Sequence, residues 1–137
     1  NTANTAKLQI GVQKPDQRVI TNYTCGSMGY DLPAAIGTSI AAEKKVYCVT
    51  GDGSIMMNLQ EIQTIVQNDL PINIVVFSND GYNAIRQTSK NFFNGTYIGC
   101  TADTGVSFPK WESVASTFEY EYRICKNNDE LPESIEW

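Results

Sequence analysis

The stretch from Lys45 to Gly81, KVYCVTGDGSIMMNLQEIQTIVQNDLPINIVVFSNDG, decides how this chain folds. Lys45 to Thr50 has the length and β-branched content of a buried strand. From Ile55 to Asn68 the apolar residues Ile55, Met56, Leu59, Ile62, Ile65 and Val66 recur at helical spacing. Pro71 to Phe77 then reads as a second buried strand, leaving through Ser78-Asn79-Asp80-Gly81. Two parallel strands joined by a right-handed helical crossover bring their C-terminal ends side by side. Gly51-Asp52-Gly53-Ser54 and Asn79-Asp80-Gly81 are therefore expected at one edge of one sheet. Open α/β sheets bind their ligands at that edge.

The residues gathered there have a definite chemistry. The Asp52 carboxylate and the Asn79 side-chain amide are hard oxygen donors, suited to Mg²⁺ or Ca²⁺. Gly53 lets a backbone come close to a ligand, and the amides of Gly53 and Ser54 open a helix whose positive end favours phosphate. Mg²⁺ is commonly held by one or two protein oxygens together with phosphate oxygens and water, so a magnesium diphosphate group fits. Gly-Asp-Gly alone is also an ordinary turn, and Asn-Asp-Gly-Tyr an ordinary strand exit. The spacing and the strand–helix–strand context favour the ligand.

With that spacing, Gly51-Asp52-Gly53-Ser54 followed by Asn79 resembles the diphosphate-binding motif of thiamine diphosphate (ThDP) enzymes. The wider run from Gly51 to Tyr82 is similar to acetolactate synthase and its relatives, including pyruvate oxidase and benzoylformate decarboxylase. The resemblance implies that Asp52, the Asn79 side chain and the Gly81 carbonyl bind Mg²⁺. It implies that Gly51, Gly53, Ser54, Tyr82, Asn83 and Ala84 lie against the cofactor. A second match is Gly26-Ser27-Met28-Gly29-Tyr30-Asp31-Leu32-Pro33-Ala34-Ala35-Ile36-Gly37. In the family the corresponding loop holds the aminopyrimidine ring, which implies contacts from Gly26, Ser27 and Met28, the Gly26 carbonyl and Met28 amide hydrogen-bonding it. On the residues alone, the same segment is a turn followed by a small-residue helix from Leu32 to Ala42, with Asp31 as N-cap and Pro33 in the first turn.

The resemblance covers Arg18 to Trp137 and implies a domain, residues 1–137, of a larger multidomain enzyme. The absence of an initial Met and a last segment that reads as a helix agree with an excised domain. The cofactor would lie between two subunits, with its ylid-forming glutamate on a pyrimidine-binding domain of the partner subunit. A homodimer or homotetramer is expected, with no catalytic residue in this chain. By itself the chain is expected to be inactive. The parent enzyme would decarboxylate a 2-oxo acid such as pyruvate and transfer the aldehyde unit, and FAD is possible on a domain outside this chain. A departure from the biosynthetic acetolactate synthases falls at Thr88, where the resemblance places their substrate-selecting Trp. A ThDP-dependent decarboxylase or oxidase is therefore an alternative, and a non-catalytic Mg²⁺/phosphate-binding regulatory module is an alternative of another class.

Composition bounds the rest. A chain of 137 residues with 42% hydrophobic and 18% charged residues is long enough for one domain with a real core. A net charge of −5 without a basic cluster argues against a nucleic-acid partner. No apolar run approaches the ~20 residues of a membrane span, and a cytoplasmic protein is expected. There is no histidine, which removes the commonest general base and zinc ligand. Cys25, Cys48, Cys100 and Cys125 lack CxxC spacing and are expected to be reduced core cysteines. The sequons at Asn22 and Asn94 are chance matches in such a protein.

The remaining elements follow from pattern. A short helix is expected around Lys7 to Gln13, and a short strand at Arg18 to Thr21. Tyr82 to Lys90 suggests a helix with Arg86 exposed on it, and Asn91 to Ser107 a long loop. Trp111, Val114, Ala115 and Phe118 share one helical face. Glu121 to Cys125 reads as a strand and Asn128 to Trp137 as a last helix. The sum is α/β: a doubly wound, mostly parallel sheet with helices on both faces.

Overall fold

A computed structural model describes residues 11–22 and 24–136. Helix α1 (Asp31–Ala42) leads into strand β1 (Val46–Gly51). A short helix α2 (Asp52–Ile55), a 3₁₀ turn (Met56–Asn58) and helix α3 (Glu61–Gln67) form the crossover to strand β2 (Ile72–Phe77). Helix α4 (Asn83–Phe92), a 3₁₀ turn (Ala102–Thr104), helix α5 (Trp111–Thr117), a 3₁₀ turn (Asn128–Glu130) and helix α6 (Leu131–Glu136) complete the order. β1 and β2 pair in parallel, from Val46 opposite Ile72 to Gly51 opposite Phe77. The expected strand–crossover–strand unit is present, and both strands end at the same edge.

The core lies on one face of this sheet. Leu32 and Ala35 from α1, Cys48 from β1, Ile55 from α2, Ile62 and Ile65 from α3, and Ile72 from β2 form one buried cluster. Trp111, Val114 and Phe118, from α5 and its C-terminal end, pack against it, and Ala115 is buried beside them, as their shared helical face predicts. Burying a side chain of Leu or Ile size contributes about 1.5–3 kcal/mol, which makes this cluster the main stabilising feature. The Tyr120 hydroxyl donates to the Ile72 carbonyl and ties the segment after α5 to the first residue of β2.

Four expectations change. The described residues form a two-stranded sheet covered on one face, because Tyr47, Val49, Val75 and Phe77 on the other face are exposed. Arg18–Thr21 and Glu121–Cys125 do not enter the sheet. Strand propensity reflects fit to a pleated, half-buried surface, and Glu121–Cys125 is exposed throughout with no strand beside it. Ile55–Asn68 is not one helix. It breaks at Met56–Gln60, where the Asn58 amide turns outward to the Gly29 carbonyl at 2.6 Å and Ile62 and Gln63 bond three residues back. Asp31 is the first residue of α1 rather than its N-cap, and its carboxylate accepts from the Leu32 N–H at 3.0 Å and from the Thr50 hydroxyl. The segment Lys7 to Gly11 of the expected N-terminal helix lies mostly outside the described residues, and residues 11–13 are not helical.

All four cysteines are free; Cys48 and Cys100 are buried, whereas Cys25 and Cys125 are exposed and are not the core cysteines expected. Cys48 lies in β1, whereas Cys125 lies outside any strand. Among the described residues no helix is long and apolar enough to cross a membrane.

Candidate cofactor and metal site

The site is built on the turn that leaves β1. Gly51 is extended (φ −117°, ψ 159°) and α2 starts at Asp52, so the Asp52 side chain lies at a helix N-terminus. Gly51, Asp52, Gly53, Ser54 and Ile55 are all buried. Asp52, only 2% exposed, directs Oδ1 to the Gly53 N–H and Oδ2 to the Asn79 N–H, both at 2.8 Å. The second bond spans the ends of β1 and β2. It places Asn79 against Asp52, as the crossover geometry requires.

The exit from β2 is shaped by two residues of positive φ. Asp80 (φ 57°) and Gly81 (φ 148°) turn the chain back, and Tyr82 then donates its N–H to the Cys100 carbonyl at 3.0 Å. A Cβ on Gly81 would run into that same carbonyl, so glycine is required for conformation and for space. Tyr82 lays its ring over Gly53, where a Cβ would overlap the ring. The Tyr82 ring meets Phe108 edge-on (centroids 6.4 Å apart), and Phe108 stacks on Trp111 at 6.5 Å. This aromatic row connects the turn after β1 to the core. A cleft of about 390 Å³ opens beside it, between Ser78 and Asp80 on one wall and Phe108, Pro109 and Trp111 on the other.

The glycine loop before α1 reaches the same turn. Gly29 donates its N–H to Ser54 Oγ at 3.1 Å and its carbonyl accepts from Asn58. A Cβ on Gly29 (φ 80°) would come within 2.6 Å of Met57 Cβ. Gly26 (φ 58°), Ser27 and Met28 are exposed in the loop just before it. Of the twelve expected cofactor residues, the Gly51–Ser54 turn, Asn79, Gly81 and Tyr82 are brought together by these contacts. Gly26, Ser27 and Met28 adjoin them through Gly29, and Asn83 and Ala84 stand exposed at the start of α4.

The expected exposed position of Arg86 is corrected. Its guanidinium folds back, Nη2 donating to the Asn79 carbonyl at 2.8 Å and to Asn79 Oδ1 at 3.3 Å. Sequence reasoning also missed Gly29, Asn58 and Cys100, whose contacts are tertiary and leave no periodic signal. Away from the site, burial, with the Asp31 carboxylate adding to it, pushes the Cys48 thiol up to about 12. Burial likewise raises the Tyr120 hydroxyl, with Cys48 as the smaller cause.

Among the described residues no group of three or more His, Cys, Asp or Glu side chains is placed to hold a metal. The set at the strand ends is of another kind: one carboxylate, one amide and one main-chain carbonyl, all hard oxygens. A buried carboxylate whose partners here are main-chain N–H groups is suited to a cation, and glycines at 29, 53 and 81 bring backbones close around it.

These features define a cofactor-binding α/β domain. The chain belongs to the thiamine pyrophosphate enzymes as their C-terminal TPP binding domain, which matches residues 2–137. Acetolactate synthases are among its relatives. It is 35% identical over 117 residues to the acetolactate synthase large subunit of Porphyra purpurea, covering 85% of this chain and 20% of that protein. It is 32% identical over 121 residues to the acetolactate synthase isozyme 2 large subunit of Escherichia coli (strain K12), covering 88% of this chain and 22% of that protein. With the large subunit from Buchnera aphidicola subsp. Schlechtendalia chinensis the identity is 41% over 93 residues, 67% of this chain and 16% of the relative. The chain thus spans about a fifth of the length of these relatives.

Proposed function

We propose that this chain is the diphosphate-binding domain of a longer ThDP- and Mg²⁺-dependent enzyme that decarboxylates a 2-oxo acid, such as pyruvate, and transfers the aldehyde unit. The observation that carries this reading is the buried Asp52 carboxylate bonded to Asn79 across the strand ends. Asp52, Asn79 Oδ1 and the Gly81 carbonyl would hold Mg²⁺. The amides of Gly53 and Ser54, with Gly51, would face the diphosphate. Gly26, Ser27 and Met28 would meet the aminopyrimidine ring, and Tyr82, Asn83 and Ala84 would lie along the cofactor. ThDP, when bound, supplies the carbanion stabilisation that the chemistry needs, and the chain's own residues bind and orient it.

Activity would require a second domain of a partner subunit, in a homodimer or homotetramer, so the chain alone is expected to be inactive. A doubly wound sheet would place its other helical layer on Tyr47, Val49, Val75 and Phe77. A decarboxylase or oxidase is the second reading, favoured by Thr88, which stands exposed on α4 where the acetolactate synthases are expected to carry Trp. Calorimetric titration of ThDP into the full protein, with Mg²⁺ and then with EDTA, tests the cofactor. Binding that needs Mg²⁺ and disappears in Asp52→Ala is expected. Absence of binding in the full protein would end the cofactor reading in favour of a regulatory module.

A further inference from the structure

Asn79 is held from α4 by the side chain of Arg86. The Asn79 N–H is fixed by Asp52 Oδ2, while both its carbonyl oxygens, main-chain and side-chain, accept from one guanidinium nitrogen of Arg86. Arg86 sits in the first turn of α4, its own N–H bonded to the Tyr82 carbonyl at 3.0 Å, so its reach back to Asn79 starts from a hydrogen-bonded helical turn. Its Nε is buried without a hydrogen-bond partner among the described residues, and its hydrogen bonds from Nη2 both go to Asn79.

The chemistry of this contact is selective. A carboxamide has two ends of almost equal size, one an acceptor and one a donor, and a half-turn exchanges them. Guanidinium carries only donors, so it accepts only the oxygen end beside it. A hard cation needs that same oxygen. The carbonyl oxygen has two lone pairs, and one bond to Nη2 leaves the second available. A guanidinium is itself positive, however, and in the opposite case it would occupy the place of the metal's charge and oppose binding.

We propose that Arg86 is a positioning residue that presents Asn79 Oδ1 to the divalent cation. The inference rests on the Mg²⁺–ThDP reading above. Groups that orient metal ligands from behind typically change metal affinity roughly 10–100-fold when removed.

The test uses Mn²⁺ as probe, with free ion measured by electron paramagnetic resonance in the presence of ThDP, on the full protein and three variants. Arg86→Gln is expected to bind Mn²⁺ roughly 10–100-fold more weakly, with ThDP binding restored at saturating Mn²⁺. Arg86→Lys is expected to fall between Arg86→Gln and the parent, because an ammonium keeps the positive donor but not the planar group that fixes one nitrogen against both oxygens. Binding by Arg86→Gln as tight as that of the parent, or tighter, overturns the proposal. If Arg86→Gln fails to fold, judged by its far-ultraviolet circular dichroism without metal, Arg86→Lys decides: weaker Mn²⁺ binding supports the proposal and parent-like binding overturns it. Asp52→Ala separates the two levels. Loss of Mn²⁺ there with full retention in Arg86→Gln removes only the role of Arg86. Retention in both removes the metal site as well.

Discussion

The carboxylate of Asp52, on the residue that follows β1, accepts the main-chain N–H of Asn79, two residues beyond the end of β2, at 2.8 Å. One side chain therefore closes the gap between the strands where the ladder stops. The same carboxylate accepts from Gly53, so both its oxygens help hold the turn. Replacing it by Asn keeps the shape but sets an NH₂ group against one of these N–H donors. The expected cost is about 1–3 kcal/mol of stability from the unsatisfied buried donors. Asp52→Asn is thus expected to melt lower without metal and to lose the Mg²⁺-dependent heat of ThDP binding, both measurable by calorimetry.

Gly53 and Tyr82 are coupled by space. A methyl group on Gly53 would overlap the Tyr82 ring, which cannot retreat freely because Phe108 stands edge-on to it. Gly53→Ala should cost about 1–3 kcal/mol in the parent. In a Tyr82→Ala background the same change should cost much less, giving a coupling of about 0.5–3 kcal/mol in a double-mutant cycle by denaturant unfolding. Additive effects would mean that the ring does not rest on this glycine.

Alkaline pH should weaken the fold through Cys48. Below pH 9 the thiol is protonated in both folded and unfolded chains. Between 9 and about 12 the unfolded chain releases a proton that the folded chain keeps, so stability falls as pH rises. Tyr120, raised from 10.0, acts in the same direction above that pH. The melting temperature should therefore decline progressively above pH 9, and the decline should be shallower in Cys48→Ala. An equally steep decline in that variant would place the alkaline sensitivity elsewhere.

Where the sequence was legible, it was so because the pattern is local. The apolar runs at Lys45–Thr50 and Pro71–Phe77, the small-residue helix α1 and the apolar face of α5 lie within single elements and appear in the structure near the expected bounds. Asp52 and Asn79 were placed together by the geometry of a parallel crossover alone. What was illegible depends on neighbours. Arg86 looked like an exposed helical residue because nothing in the order of residues shows a side chain folding back onto Asn79. Met56–Gln60 looked helical because its apolar period is right, and the pull of the Gly29 carbonyl on Asn58 is a tertiary contact. Glu121–Cys125 carried strand-forming residues, but a strand exists only where another strand takes up its N–H and carbonyl groups.

Burial rather than residue type should govern the response to truncation. Ile65, 1% exposed in α3, and Ile40, 61% exposed on α1, have the same side chain. Ile65→Ala is expected to destabilise by about 2–5 kcal/mol. Ile40→Ala should stay within about 0.5 kcal/mol of the parent. Chemical denaturation of the two variants checks both values.

The buried cluster that holds this domain together runs from Leu32 to Ile72, an unbroken stretch that ends before α4 begins. During synthesis, the residues of this cluster will all have left the ribosome before Arg86 follows, and before Trp111, Val114, Ala115 and Phe118 arrive to close over it. The oxygen donors at the strand ends would then be arranged around a nucleus formed earlier, and the pieces over them added last. Pulsed hydrogen exchange during refolding should accordingly protect the amides of β1, α3 and β2 before those of α4. Simultaneous protection would mean that the later segments take part in the nucleus itself.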